Sequence, residues 1–201
     1  MGNFYEERIF PPLCDVVMRQ MEPLRPKTVA EARGRVLEIG LGTARNLPYM
    51  QGVTELVGLE PSPGMTDIAK ARIRHAPFPV EVVHAGAESM PFPDASFDTV
   101  LATFVFCTIP DPHAAAREVR RILRPGGKLV MLEHVRDRDP AVARWQERIT
   151  PVWKVLACGC VLDRDTPAIL EGEGFGTESI VHLDAGMPLL RHIVAGALPV
   201  R

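Results

Sequence analysis

The run Val36, Leu37, Glu38, Ile39, Gly40, Leu41, Gly42, Thr43 constrains this chain more than any other stretch. A short, mostly apolar strand opens directly into two glycines separated by one residue, so the backbone of the turn lies bare. From Gly34 onward, short β-branched runs alternate with segments of helical composition. That is the pattern of a mostly parallel sheet covered by helices on both faces, an α/β, doubly wound, Rossmann-like fold. Strands are predicted at Arg35 to Ile39, Leu56 to Glu60, Val80 to His84, Phe97 to Thr103 and Lys128 to Glu133. Crossover helices are expected over Gly64 to His75 and over Asp111 to Arg124. The second opens on an Asp-Pro cap and stops before Pro125, Gly126 and Gly127.

A bare turn after the first strand invites a ligand. In a dinucleotide fingerprint a third glycine would fall at position 45, which is Arg45 here, so a pyrophosphate seat is disfavoured. This weighs against a nicotinamide-dependent oxidoreductase, the rival class. Glu38, an acid inside an apolar strand, either receives a ligand ammonium or caps local backbone amides. Glu60 ends the second strand, where doubly wound folds place the carboxylate that accepts from ribose hydroxyls. Pro61, Ser62 and Met65 lead into the next helix, Met65 packing either on an adenine face or in the core. After the third strand, Gly86, Ala87 and Glu88 form a loop predicted to lie over the adenine. Asp98 is left without a role.

Composition narrows the partners. With 201 residues and 46% hydrophobic content, the chain supports one substantial core, read as one domain over 1–201: a cover segment (1–33), a cofactor half (34–135) and a substrate half (136–201). A formal net charge of −2 gives no broad attraction for nucleic acid or an anionic membrane, which favours a small-molecule substrate. No stretch has the character of a secretory signal or the length of a membrane span, so the cytoplasm is the expected compartment. Oligomeric state is open. The four cysteines, Cys14, Cys107, Cys158 and Cys160, are too few and scattered for a disulfide framework. For Cys158 and Cys160, structural, substrate-site and metal-binding roles all stay open.

Four segments together, VLEIGLG, LEPS, AGAESMPFPDASFDTV and RILRPGGKLVMLEH, resemble successive motifs of the class I S-adenosylmethionine-dependent methyltransferases between Arg35 and about His134. The resemblance implies S-adenosyl-L-methionine as cofactor and a seven-stranded sheet whose last strand runs antiparallel. It also places Asn46, Thr103 and Phe104 among the cofactor-binding positions, beside Glu38, Gly40, Leu41, Gly42 and Glu60.

Beyond the cofactor motifs, FVFCTIPDP, EHV, PVW, GCVLDRDT and RHIVAGAL are similar to a branch of methyltransferase-like proteins that methylate small thiols. A thiol is therefore the leading expectation for the acceptor. Quinone, phenol and lipid-amine acceptors are the runners-up, and a cofactor-binding protein without catalysis is a further alternative. Members of that branch often carry an apolar N-terminal anchor, which is not carried over to this sequence. Methyl transfer from a sulfonium is an in-line displacement, so alignment and exclusion of water supply much of the acceleration. A group that favours the thiolate would help. His134, Arg164 and Cys107 are the candidates, each with a structural alternative: His134 as a loop holder, Arg164 paired with Asp163 or Asp165, and Cys107 as packing. Trp145, Trp153, Phe104, Phe106 and Tyr5 are candidates to roof the pocket. His192 reads as a core or pocket-wall histidine. The apolar segments Phe175 to Leu183 and Leu189 to Leu198 are predicted to pair as a hairpin across Asp184, Ala185 and Gly186.

Overall fold

Seven strands form one sheet in the order β3-β2-β1-β4-β5-β7-β6. They are β1 (Gly34–Ile39), β2 (Val53–Leu59), β3 (Val80–Val83), β4 (Phe97–Thr103), β5 (Leu123–His134), β6 (Val181–Asp184) and β7 (His192–Pro199). The coordinates are those of a computed structural model that describes residues 4–201; residues 1–3 of the cover segment lie outside the described residues. Neighbours from β3 to β5 are parallel, and β7 is antiparallel to both β5 and β6, as the resemblance implied.

The central strands are buried on both faces and therefore read as near-continuous apolar runs. Leu37, Ile39, Val100, Leu129 and Met131 meet Ala115, Ala116 and Val119 of α4 (Pro112–Ile122) on one face. Val36, Leu56, Leu101 and Val130 meet Val29 and Ala69 on the other. Those last two residues come from α2 (Arg25–Val29) and α3 (Pro63–Ile73).

Four helix starts follow one rule. A short acceptor side chain caps the first turn and a proline follows it. Ser62 accepts from Met65 N at 3.3 Å and precedes Pro63; Asp111 accepts from Ala114 N at 3.0 Å and precedes Pro112. The same arrangement, with Asp139 before Pro140, opens α5 (Pro140–Leu156), and Asp165 caps α6 (Thr166–Gly172).

Three expectations change. The Asp111 helix stops at Ile122 rather than Arg124, because buried Leu123 already pairs with Phe97 at the start of β5. Gly126, at φ +79°, lets that strand bulge before regular pairing resumes at Lys128. The terminal hairpin exists but pairs Asp184 with His192 across residues 185–191, and Phe175 makes only an isolated bridge to Val200. Asp98 acquires a structural role, accepting from Arg35 N at 2.8 Å and pairing with Arg124.

The N-terminal segment is helical over Tyr5–Ile9 and α1 (Phe10–Val17), then tightens into a 3-10 stretch, Met18–Leu24, before α2. It lies against the start of α3, so close that a Cβ on Gly64 would overlap the carbonyl of Glu7. Arg45, the residue at the missing-glycine position, is buried and grips this segment through Asp15 at 2.8 Å and Glu22. Asp15 also accepts from Thr43 and pairs with Arg72, and these partners outweigh its burial and hold its carboxyl at about 2.

Candidate active site

Strand order reverses between β1 and β4, since the chain runs outward from β1 to β3 and then returns to the other side of β1. Ligands of such sheets bind in the crevice beyond the carboxyl ends of the strands at that point. A cavity of about 530 Å³ sits there. Its lining includes Glu38, Gly40, Leu41, Gly42 and Asn46 from the first strand and turn, Glu60, Pro61, Ser62 and Met65 from beyond β2, and Thr103 and Phe104 from the end of β4. Glu7, Phe10, Cys14 and Met18 of the cover segment supply the facing wall.

The glycine turn is shaped for close approach. Gly40 has φ +65° and Gly42 has φ +57°, and a Cβ on Gly40 would overlap Val105. Glu60 is drawn into this turn: one carboxylate oxygen accepts from Gly42 N and the other from Ser62 N, each at 2.9 Å. Burial raises its pKa, and the two backbone amides oppose that rise. Each oxygen keeps a lone pair for another donor.

A polar network fills the floor beneath the turn. Asn46 donates to Glu38 Oε1 at 2.7 Å and to Thr103 Oγ1 at 2.8 Å, and receives from Arg25 Nη1 at 2.6 Å. Burial pushes Glu38 up to about 8, against the pull of Asn46 and Arg25. Its Oε2 is buried without a hydrogen-bond partner. Such an atom is costly unless something polar arrives to meet it. Arg25 lies over the Phe104 ring at 5.3 Å.

Phe104 begins the second half of the site at φ +54°, an unusual conformation for an aromatic residue. Glu133 enforces the bend, its Oε1 accepting from Val105 N at 2.9 Å and Phe106 N at 3.1 Å. Complete burial lifts Glu133 to about 7. Val105 and Thr108 continue the cavity wall, met by Cys158 from the turn after α5.

The sequence-based site residues divide cleanly. The positions from Glu38 to Met65, with Thr103 and Phe104, converge on the cavity; Gly86, Ala87 and Glu88 do not line it, and Ala87 packs in the core. His134, Cys107 and Arg164 do not line it either. Arg164 pairs with neither Asp163 nor Asp165; its guanidinium donates to the carbonyls of Phe106 and of Ile109, the latter at 2.6 Å. It is a brace for the loop after β4. His134 Nε2 faces Cys160 Sγ at 3.2 Å behind the wall. Burial alone would lower His134, but the hydrogen bond and charge of Cys160 outweigh it and raise its pKa. The contact with Cys107 and then with His134 lowers Cys160, while Cys107 is raised.

Of the predicted roof, only Phe104 lines the cavity. Phe106 is wholly buried in the core, Trp145 is 58% exposed, and Tyr5 donates to Leu156 O at 2.6 Å. His192 lies outside as well, its Nε2 facing His182 Nδ1 at 2.9 Å. Arg25, Asp15 and Glu133 escaped sequence reasoning altogether.

A switch-point cavity with a bare double-glycine turn, a carboxylate at the end of β2 and an unsatisfied buried carboxylate beneath the turn defines a nucleoside-binding class I methyltransferase architecture. Residues 37–131 match the family model described as a methyltransferase domain. The chain is 32% identical over 173 residues to the thiol S-methyltransferase TMT1B of Homo sapiens, covering 84% of this chain and 70% of that protein. It is 34% identical over 128 residues to the phosphatidylethanolamine N-methyltransferase of Cereibacter sphaeroides, covering 61% and 63%. A Thermotoga maritima structure described as an S-adenosylmethionine-dependent methyltransferase superposes with a TM-score of 0.70 at 24% identity, covering 98% of this chain and all of that one. The chain belongs to the S-adenosylmethionine-dependent methyltransferase family and is an enzyme with that cofactor. The nicotinamide and non-catalytic alternatives are set aside. No helix among the described residues is long and apolar enough to cross a membrane.

Proposed function

We propose that the enzyme methylates a small, fairly apolar thiol. The observation that carries this is the lining of the cavity: among the described residues it contains no histidine, lysine or tyrosine, and of its carboxylates Glu38 and Glu60 lie at the glycine-turn end while Glu6, Glu7 and Asp15 belong to the facing cover segment. An ammonium or a phenol must shed a proton to become a nucleophile, and the sheet-side wall of Phe104, Val105 and Thr108 offers no base. A thiol ionises by itself near neutrality, with a pKa of about 8.5. The likeness to a thiol S-methyltransferase supports the same reading.

In this scheme Glu60 accepts from the ribose hydroxyls on its remaining lone pairs, and Gly40 and Gly42 let the ligand reach the main chain. Glu38 Oε2 receives the ammonium of the amino-acid end, with Asn46 and Arg25 fixing the carboxylate's orientation. Pro61, Ser62 and Met65 border the nucleoside. S-Adenosylmethionine supplies the electrophilic methyl. Phe104, Val105, Thr108 and Cys158 form the acceptor wall, and the cover segment excludes water from it.

Enzyme, methyl-labelled cofactor and a panel of thiols, phenols, quinones and amines, including phosphatidylethanolamine, test the acceptor. Label on the thiols is expected. Label on phenols, quinones or the lipid amine with none on thiols would overturn the thiol reading while leaving the enzyme a methyltransferase.

A further inference from the structure

Behind the acceptor wall, Cys107, His134 and Cys160 bring two thiols and an imidazole nitrogen within 4.8 Å of one another. All three residues are buried. They come from three separate elements: the loop after β4, the end of β5 and the turn after α5. We propose that they form a binding site for a thiophilic divalent cation of the zinc type, held by both sulfurs and by His134 Nε2.

The geometry suits that ion. Donors in a tetrahedral shell with zinc–sulfur bonds of about 2.3 Å and zinc–nitrogen bonds of about 2.1 Å lie roughly 3.6 to 3.8 Å apart. His134 Nε2 and Cys160 Sγ are 3.2 Å apart, so small side-chain adjustments make room for the ion. The donor set of two cysteines and one histidine leaves a fourth position for water or an exchangeable thiol.

The protein-only arrangement leaves these groups weakly satisfied. The one hydrogen-bonding contact of His134's ring is with a thiol, and its Nδ1 is buried without a partner. Cys107 Sγ has a long contact, 3.8 Å, to Phe104 O and otherwise meets only the thiol of Cys160. Sulfur is a poor hydrogen-bond partner, so burying an imidazole against two thiols gains little for the desolvation it costs. A cation turns the same three atoms into strong ligands, with release of the thiol protons.

The scaffold holds the ligand-bearing segments together. Val161 N donates to Cys107 O at 2.9 Å, and Arg136 N donates to Arg164 O at 3.0 Å. Arg164 in turn braces the carbonyls on either side of Cys107, those of Phe106 and Ile109. A bound ion would therefore pin the segment from Phe104 to Thr108 that walls the cavity. The proposal stands on these residues whatever the acceptor proves to be.

The test uses the full chain, reduced and stripped of metal, titrated with Co2+ and then with Zn2+. The expected result is a thiolate-to-cobalt charge-transfer band that saturates stoichiometrically, is displaced by Zn2+ and is accompanied by proton release. Cys160→Ser and His134→Ala should each weaken binding by on the order of 100-fold or more, while Cys14→Ser and Cys158→Ser leave it unchanged. Zinc-edge X-ray absorption on the unmutated protein guards against variants that do not fold; it should show a shell of two sulfurs with one imidazole. Absence of the band in the reduced protein, its survival in Cys107→Ser/Cys160→Ser, or a zinc shell of oxygen and nitrogen alone would overturn the proposal. So would a Cys107–Cys160 disulfide that forms in preference to metal binding when Zn2+ is supplied.

Discussion

The two ends of the cavity are built on opposite principles. At the glycine-turn end, polar groups are numerous and aimed: Glu60 on two backbone amides, Glu38 with one oxygen unsatisfied, and Asn46 and Arg25 locking the floor. At the Phe104 end the polar machinery sits behind the wall. Glu133 holds the backbone of Val105 and Phe106, and Arg164 braces Phe106 and Ile109, yet neither side chain lines the cavity. One end is suited to a ligand with fixed charges and hydroxyls. The other shapes a space and leaves the reactivity to what enters it.

Several substitutions break or sharpen this contrast. The largest effect is expected of Gly40→Val, which adds bulk against Val105 at a positive φ. We expect roughly 2 to 4 kcal/mol of lost stability and no measurable S-adenosylhomocysteine binding, checked by denaturant unfolding and calorimetry.

Next comes Glu60→Ala, which should weaken S-adenosylhomocysteine binding by about 1 to 3 kcal/mol while leaving the KM for the thiol within about twofold. Unchanged cofactor affinity in calorimetry would move the ribose site elsewhere.

Glu133→Ala should do the reverse. With Val105 N and Phe106 N orphaned, we expect about 1 to 3 kcal/mol of destabilisation and a fall in kcat/KM for the thiol, with cofactor affinity nearly intact. Parallel losses in both affinities would show that the two ends are not separable.

The last effect is one of slope. Glu38 is raised from 4.5 to about 8 in the fold, so the folded protein retains a proton that the unfolded chain releases. Its contribution makes the cofactor-free protein lose stability as pH rises from about 4.5 through 8. Melting temperatures across that window should fall less steeply in Glu38→Gln.

The same contrast explains what the sequence revealed. β1 to β5 were legible because central parallel strands are apolar runs, and the glycine turn and Glu60 follow locally from those strands. Proline and acid caps marked the helix starts. The acceptor end was illegible because its order arises from distant pairs: Glu133 reaches Val105 across 28 positions, and Arg164 reaches Phe106 across 58. No local spacing announces such contacts. Arg25 was missed for the same reason, its side chain arriving from a proline-rich segment to meet Thr103 across 78 positions. Arg45 was noticed for the glycine it replaces, whereas its physical work is to strap Asp15 and Glu22 of the cover segment to the turn.

The central claim, that the substrate brings its own thiolate and needs no enzyme base, is tested most directly by the pH dependence of kcat/KM over thiols of graded acidity. The account predicts that kcat/KM rises tenfold per pH unit up to each thiol's own pKa, so that the inflection moves with the substrate. A single inflection shared by every thiol, independent of substrate acidity, would reveal an enzyme base and contradict it.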